Sequence, residues 1–303
     1  MKFIMAHLDL LILMSVFLML VAFLVVVLAV RRGTTKRLIE DLGLARHILV
    51  SWLLVPLFRI YFWLLEKLGK LKISVNSPIP WEEIKLIVAA NHQMPKMQDT
   101  FLLAIIIFFL RPQNYLNPIR FFPLSTADEA NFMNSWFFRI IGTGSLISVN
   151  RNRSGPSVIE KSRERFEEYG GIEIFYVERG RTKTAIRKNR VKKWTTAEGK
   201  ELVLGRLGLG AAELALKTNT PIIPLWGQIT GDDSYPKASP RIVLLGLLEL
   251  LLKPKVKAFI DINHPSGPLR PMIGKETAQD LTKRLETALF ETGEYQLHHM
   301  SKR

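Results

Sequence analysis

A histidine and a carboxylate mark one corner of this chain: Asn91-His92 and Asp99 lie between the apolar runs IKLIVAA (84–90) and FLLAIIIFFL (101–110). The first run has the length of a strand, and the second is long enough for about three helical turns. To activate a hydroxyl, an imidazole must take its proton while a carboxylate fixes the tautomer and stabilises the cation that forms. His92 and Asp99 are of the right types for that pair. Six residues, Gln93 to Gln98, separate them. Asp99 therefore has two uses open to it. It reaches His92 across a loop bulged at Pro95, or it caps the following helix by accepting from its first N–H groups.

Three other stretches carry chemistry of a compatible kind. In IFYVERGRTKT (174–184) a β-like run delivers Glu178, with Arg179, Gly180, Arg181 and Thr182 directly behind it. Glycine lets backbone approach a ligand closely, and a neighbouring arginine grips phosphate bidentately. SLISVNRNR (145–153) is another strand candidate, ending in Arg151 and Arg153. Pro221-Ile-Ile-Pro224 is a rigid apolar stretch.

The elements that must position these residues alternate. Strands are predicted at 84–90, 145–150, 171–178, 220–226 and 256–263. Helices are predicted at 100–110, 131–141, 156–170, 209–219 and 275–293. Such alternation predicts an α/β domain, a sheet with covering helices. The sequence turns polar and proline-bearing around 69–80, which divides a membrane-anchoring region, 1–70, from a catalytic domain, 71–303.

Leu10 to Val30 are 21 residues without a formal charge, about 31 Å long as a helix, and Arg31-Arg32 follow at once. The run is too long for a signal peptide and no small-residue cleavage site follows it. It predicts a membrane helix with the bulk of the chain on the cytoplasmic side. Segment 48–68 is interrupted by Pro56, Arg59 and Glu66 and carries Trp52, Tyr61 and Trp63, as an interfacial or re-entrant segment would, with a buried core helix as the other reading. The run 242–252 is too short to span; docking on the membrane, lining a site for an apolar ligand and core burial all stay open to it.

The net charge of +15 fits an anionic membrane surface, and no nucleic-acid-binding motif accompanies it. Eight of the 42 lysines and arginines (Arg179, Arg181, Lys183, Arg187, Lys188, Arg190, Lys192, Lys193) fall in 179–193, which reads as a solvated loop able to hold anionic headgroups or other phosphates. With no cysteine in the chain, disulfides and thiolate nucleophiles are excluded. There is no Gly-x-Ser-x-Gly elbow and no His-Glu-x-x-His pair, and the scattered histidines suggest no metal site. No metal and no bound cofactor are expected.

Taken in order, Asn-His…Asp, a strand ending in arginine, strand-Glu-x-Gly-Arg-Thr and Pro-x-x-Pro resemble the four motifs of the glycerolipid acyltransferase family, which includes the 1-acylglycerol-3-phosphate and glycerol-3-phosphate acyltransferases. The resemblance spans 91–224 and implies a mixed sheet flanked by helices with the active site facing the membrane. It implies that His92 is the general base and Asp99 the carboxylate that orients it. Arg151, Gly180 and Arg181, with Thr182 beside them, would hold the acceptor's phosphate, and Glu178 would shape the site. Pro221 and Pro224 would lie on the acyl-donor side. The family keeps four residues between His and Asp, which would put the acid at Met97, and it has a proline where Val177 stands.

What the resemblance implies is a membrane-bound O-acyltransferase of phospholipid biosynthesis. The donor would be acyl-CoA or acyl carrier protein as a co-substrate. The acceptor would be a lysophospholipid, first 1-acylglycerol 3-phosphate (lysophosphatidic acid, giving phosphatidic acid) and second glycerol 3-phosphate. A catalytically inactive, membrane-tethered lipid-binding relative is the other reading.

Overall fold

A computed structural model describes residues 59–96, 102, 103, 106, 110, 124–128, 146–149, 158–169, 171–178, 182–232, 234, 236 and 240–301. The strands in chain order are β1 (Leu71–Val75), β2 (Lys85–Ala90), β3 (Leu124–Asp128), β4 (Leu146–Val149), β5 (Gly171–Tyr176), β6 (Val191–Thr195), β7 (Glu201–Gly205), β8 (Ile222–Thr230) and β9 (Lys257–Ile262). The helices are α1 (59–67), α2 (Val158–Tyr169), α3 (Thr182–Arg187), α4 (Gly210–Thr218), α5 (Pro240–Leu252) and α6 (Ala278–Ser301). Residues 102, 103, 106 and 110 are helical as well.

Seven strands form one sheet in the order β1-β9-β8-β2-β5-β3-β4. Every neighbouring pair is parallel except β8 and β9, so the sheet is mixed. Parallel strands are buried on both faces, and the central ones here are nearly continuous apolar runs. Side chains alternate across the pleat. Leu86, Val88 and Ala90 of β2 join one core with Phe62 and Leu65 of α1, Leu102, Leu103 and Ile106, and Leu247 and Leu250 of α5. Ile87 and Ala89 join the other, with Phe166 of α2, Leu214 of α4, and Leu285 and Leu289 of α6. The result is the α/β architecture expected, a mixed sheet flanked by helices.

Five predicted strands and three predicted helices recur in place, with boundaries moved by at most four residues except at the end of the last helix, which runs on to Ser301. The predicted 131–141 helix lies outside the described residues. The predicted 275–293 helix begins at Ala278 because Thr277 caps it: its hydroxyl donates to Asp280 Oδ2 at 2.6 Å, and Asp280 N–H returns a bond at 3.3 Å. The stretch 179–193 differs from the expected loop. Residues 182–187 are α3 and 191–195 are β6, which pairs with β7 as an antiparallel hairpin. That hairpin docks on α6, where Trp194 stacks on Phe290 at 5.5 Å and donates to Glu294 at 3.1 Å.

Among the described residues no helix is long and apolar enough to cross a membrane. The membrane helix expected at about 10–30, and residues 48–58 of the interfacial segment, lie outside them. Helix α1 buries Phe62 and Leu65 in the sheet core, while Ile60 and Trp63 stay exposed.

Candidate functional site

Parallel strands end at the same edge of a sheet, and ligands of open α/β sheets bind beyond their carboxyl ends. β2 delivers Asn91 and His92 to that edge, and its neighbour β5 delivers Val177 and Glu178. β8, on the other side of β2, runs on past Ala90, whose partner is Leu225. This overhang is filled by a side chain. Asn91 donates to the Gly227 carbonyl at 3.0 Å and accepts from the Gly227 N–H at 2.7 Å, so one carboxamide extends the ladder by a residue. Asn91 is buried, and Met94 packs against Gly227 closely enough to leave little room for a β-carbon there. Asn91→Ala is therefore expected to destabilise the chain by about 3 kcal/mol, since each buried backbone group left unpaired costs on the order of 1–3 kcal/mol. A lowered melting temperature in detergent checks it.

Glu178 organises the corner. Its carboxyl accepts from the His92 backbone N–H at 2.7 Å and from the Gly205 N–H at 2.6 Å. The Thr182 hydroxyl lies 2.7 and 2.8 Å from its two oxygens. The Thr182 N–H in turn donates to the His92 carbonyl at 3.2 Å. Both polar groups of the His92 backbone are thus held by the Glu178–Thr182 segment, 86 residues away in the chain. A β-carbon on Gly205 would collide with Glu178 Oε2, so any larger residue there would have to displace the carboxyl from its donors. Burial pushes the Glu178 carboxyl above the usual carboxylate range, against the pull of its three donors and of the nearby imidazole. The His92 ring sits 4.9 Å from the Tyr176 ring, tilted by 36°, and His92 is itself buried.

Lys96 fixes the loop that leaves this corner. Its ammonium donates to Asp232 at 2.7 Å and to Glu249 of α5, and all three side chains are largely buried. Burial alone would lower the Lys96 pKa, but the two carboxylates outweigh it and raise it. Burial acts to raise Asp232, and bonds from Lys96 and Ser234 reverse that and lower it. Glu249 is lowered first by Lys96. The sign follows. The two carboxylates' contribution is complete above their ordinary values of 3.8 and 4.5 and is lost as pH falls through the depressed folded values. That of Lys96 is complete below its ordinary 10.5 and is lost only as pH rises beyond it. Lys96→Met is expected to lower stability at neutral pH and to flatten that acid limb, read from melting temperatures between pH about 3 and 7.

A cavity of about 570 Å³ opens behind the corner, with Gln93 and Thr182 in its wall. Lys183, Arg187 and Lys200 give it cations and Trp226 an apolar surface. Its size suits a small ligand.

Of the residues singled out from the sequence, His92, Glu178 and Thr182 are brought into one hydrogen-bonded unit. Pro224 is level with Ala89, three residues before His92, and Pro221 accepts from the Ile87 N–H; both are buried in the sheet. Pro224 is tolerated in a central strand because its missing N–H falls where pairing with β9 stops, at Asn263, whose φ is 68°. Asp99, Arg151, Gly180 and Arg181 lie outside the described residues. Sequence reasoning gave no role to Asn91, Lys96 or Gly205. Among the described residues no group of three His, Cys, Asp or Glu could hold a metal ion. No protein-family model and no curated protein matches the chain.

Proposed function

We propose that the chain is a membrane-bound O-acyltransferase, moving a fatty acyl group from a thioester to a hydroxyl of a phosphorylated glycerol acceptor, first of all 1-acylglycerol 3-phosphate. The observation that carries this is the joining of His92 to Glu178 and Thr182 at the carboxyl edge of the sheet. Two motifs recognised separately in the sequence are there a single structural unit. A base must be held still to work, and the His92 backbone is anchored at both its N–H and its carbonyl.

In this reading His92 takes the proton from the acceptor hydroxyl as its oxygen attacks the thioester carbonyl. The carbon–sulfur bond of the tetrahedral intermediate then breaks, and the imidazolium returns the proton to the thiolate. Asp99 is assigned to orient the imidazole, and Arg151, Gly180 and Arg181 to hold the acceptor's phosphate. The donor is acyl-CoA or acyl carrier protein, a co-substrate rather than a bound cofactor. The membrane-anchoring region, 1–70, would keep the domain on the cytoplasmic side of the bilayer.

An acceptor panel tests it. Purified protein is given labelled acyl-CoA or acyl carrier protein with lysophosphatidate, other lysophospholipids, glycerol 3-phosphate or a monoacylglycerol. Transfer to phosphate-bearing glycerols and not to monoacylglycerol is expected. Lipid binding without transfer to any acceptor would leave the inactive relative in its place.

A further inference from the structure

Helix α5 carries an apolar stripe on its outward side. Leu244, Leu245, Leu248 and Leu252 are 52, 43, 46 and 72% exposed. At helical spacing these four positions fall within an arc of about 100°. The opposite side is spent on the core, through Val243, Leu247 and Leu250. Surface leucines scattered singly need no explanation, but four on one stripe mark a surface that meets something apolar. Helix α1 packs beside α5, with the Tyr61 hydroxyl donating to the Leu247 carbonyl at 2.8 Å, and exposes Ile60 and Trp63.

The charges around the stripe say what it meets. Arg59 and Lys67 on α1, Arg241 at the start of α5, and Lys253 and Lys255 just past its end are all exposed. The one exposed acid of the two helices is Glu66, since Glu249 is engaged by Lys96 and Lys253. A leucine surface rimmed by cations is complementary to a bilayer bearing anionic headgroups. The 13 residues of α5 make about 20 Å of helix, too short to cross and long enough to lie along the interface.

We propose that α5 is an interfacial helix that docks the catalytic domain onto an anionic bilayer, with Leu244, Leu245, Leu248 and Leu252 in the headgroup–acyl boundary. The docked helix also carries Glu249, which holds Lys96, four residues beyond His92. The surface that meets lipid is thereby tied to the loop that leaves the site. This goes beyond an N-terminal anchor, because it fixes how the tethered domain is oriented on the membrane.

The chain has no cysteine, so single introduced thiols report cleanly. Leu248→Cys in the full chain is labelled with an environment-sensitive fluorophore and placed in phosphatidylcholine vesicles with and without phosphatidylglycerol. Lys283→Cys, exposed on the opposite face of the sheet, is the companion. The label at 248 is expected to be quenched by lipids brominated in their acyl chains and shielded from aqueous iodide, and the label at 283 to behave in reverse. Adding Lys255→Glu, which leaves the Lys253–Glu249–Lys96 contacts in place, should lower the docked fraction in anionic vesicles about five-fold or more, the effect of roughly 1 kcal/mol per basic residue.

Equal access of iodide to both sites would overturn the inference. So would a shielded label at 248 that brominated lipid does not quench, which would put protein rather than lipid over the stripe. The readout is independent of acyl transfer: lipid quenching in a protein without transferase activity supports the docking surface and removes the enzyme, while transfer with a wet label does the opposite.

Discussion

Replacing Glu178 by Gln is expected to lower acyl-transfer turnover about a hundredfold and to destabilise the folded chain by about 2 kcal/mol. Both carboxyl oxygens accept from backbone N–H groups, one from His92 and the other from Gly205. An amide can replace only one of these acceptors. In either orientation its NH2 faces a buried N–H, and the clash frees the His92 backbone or the end of β7. The loss should fall on kcat more than on KM, because Glu178 positions the base and its oxygens are occupied within the protein.

The pH dependence separates this from a general loss of folding. A carboxyl whose folded pKa lies above its ordinary 4.5 adds a cost that is absent below that value and grows as pH rises toward the raised one. The wild-type chain should carry that slope in its melting temperature, and Glu178→Gln should not. Gly205→Ala, which crowds the same carboxyl, should reproduce the kinetic defect while keeping the slope.

His92→Ala is expected to reduce turnover by about 10²–10⁴, the contribution of a general base, while leaving the fold intact. The main chain of His92, which the substitution keeps, makes the bonds to Glu178 and Thr182. Removal of the imidazole leaves a gap beside Tyr176 and keeps the hub. A melting temperature close to wild type combined with near-complete loss of transfer would separate chemistry from architecture at this position.

Much of the sheet was legible because parallel strands buried on both faces write themselves as short apolar runs, as KLIVAA, GIEIFY and KAFIDI do. The pieces that escaped lack that signal. β3, LSTAD, is short and half polar, and β1 was hidden by the lysine in LKISV. The β6–β7 hairpin was masked by its cations. VKKWT does not alternate: Lys192 and Lys193 are adjacent and both exposed, so β6 carries no period-2 signal. Although Gly199 at φ 75° supplies the turn, the density of lysine and arginine spoke for a solvated loop.

At the site, residue types pointed to His92, Glu178 and Thr182. Register, however, is a property of the sheet. Only the pairing of β2 with both β5 and β8 shows that Asn91 meets Gly227 and that Glu178 reaches the His92 backbone. Lys96 escaped for a related reason: its partners Asp232 and Glu249 are 136 and 153 residues away, and no local pattern announces a buried ion cluster.

The most direct measurement is transfer of a labelled acyl group from a thioester to lysophosphatidate by the purified wild-type chain and His92→Ala, side by side, with both shown to be folded. The account predicts labelled phosphatidate from the wild type and at least a hundredfold less from the variant. Undiminished turnover by His92→Ala would contradict it.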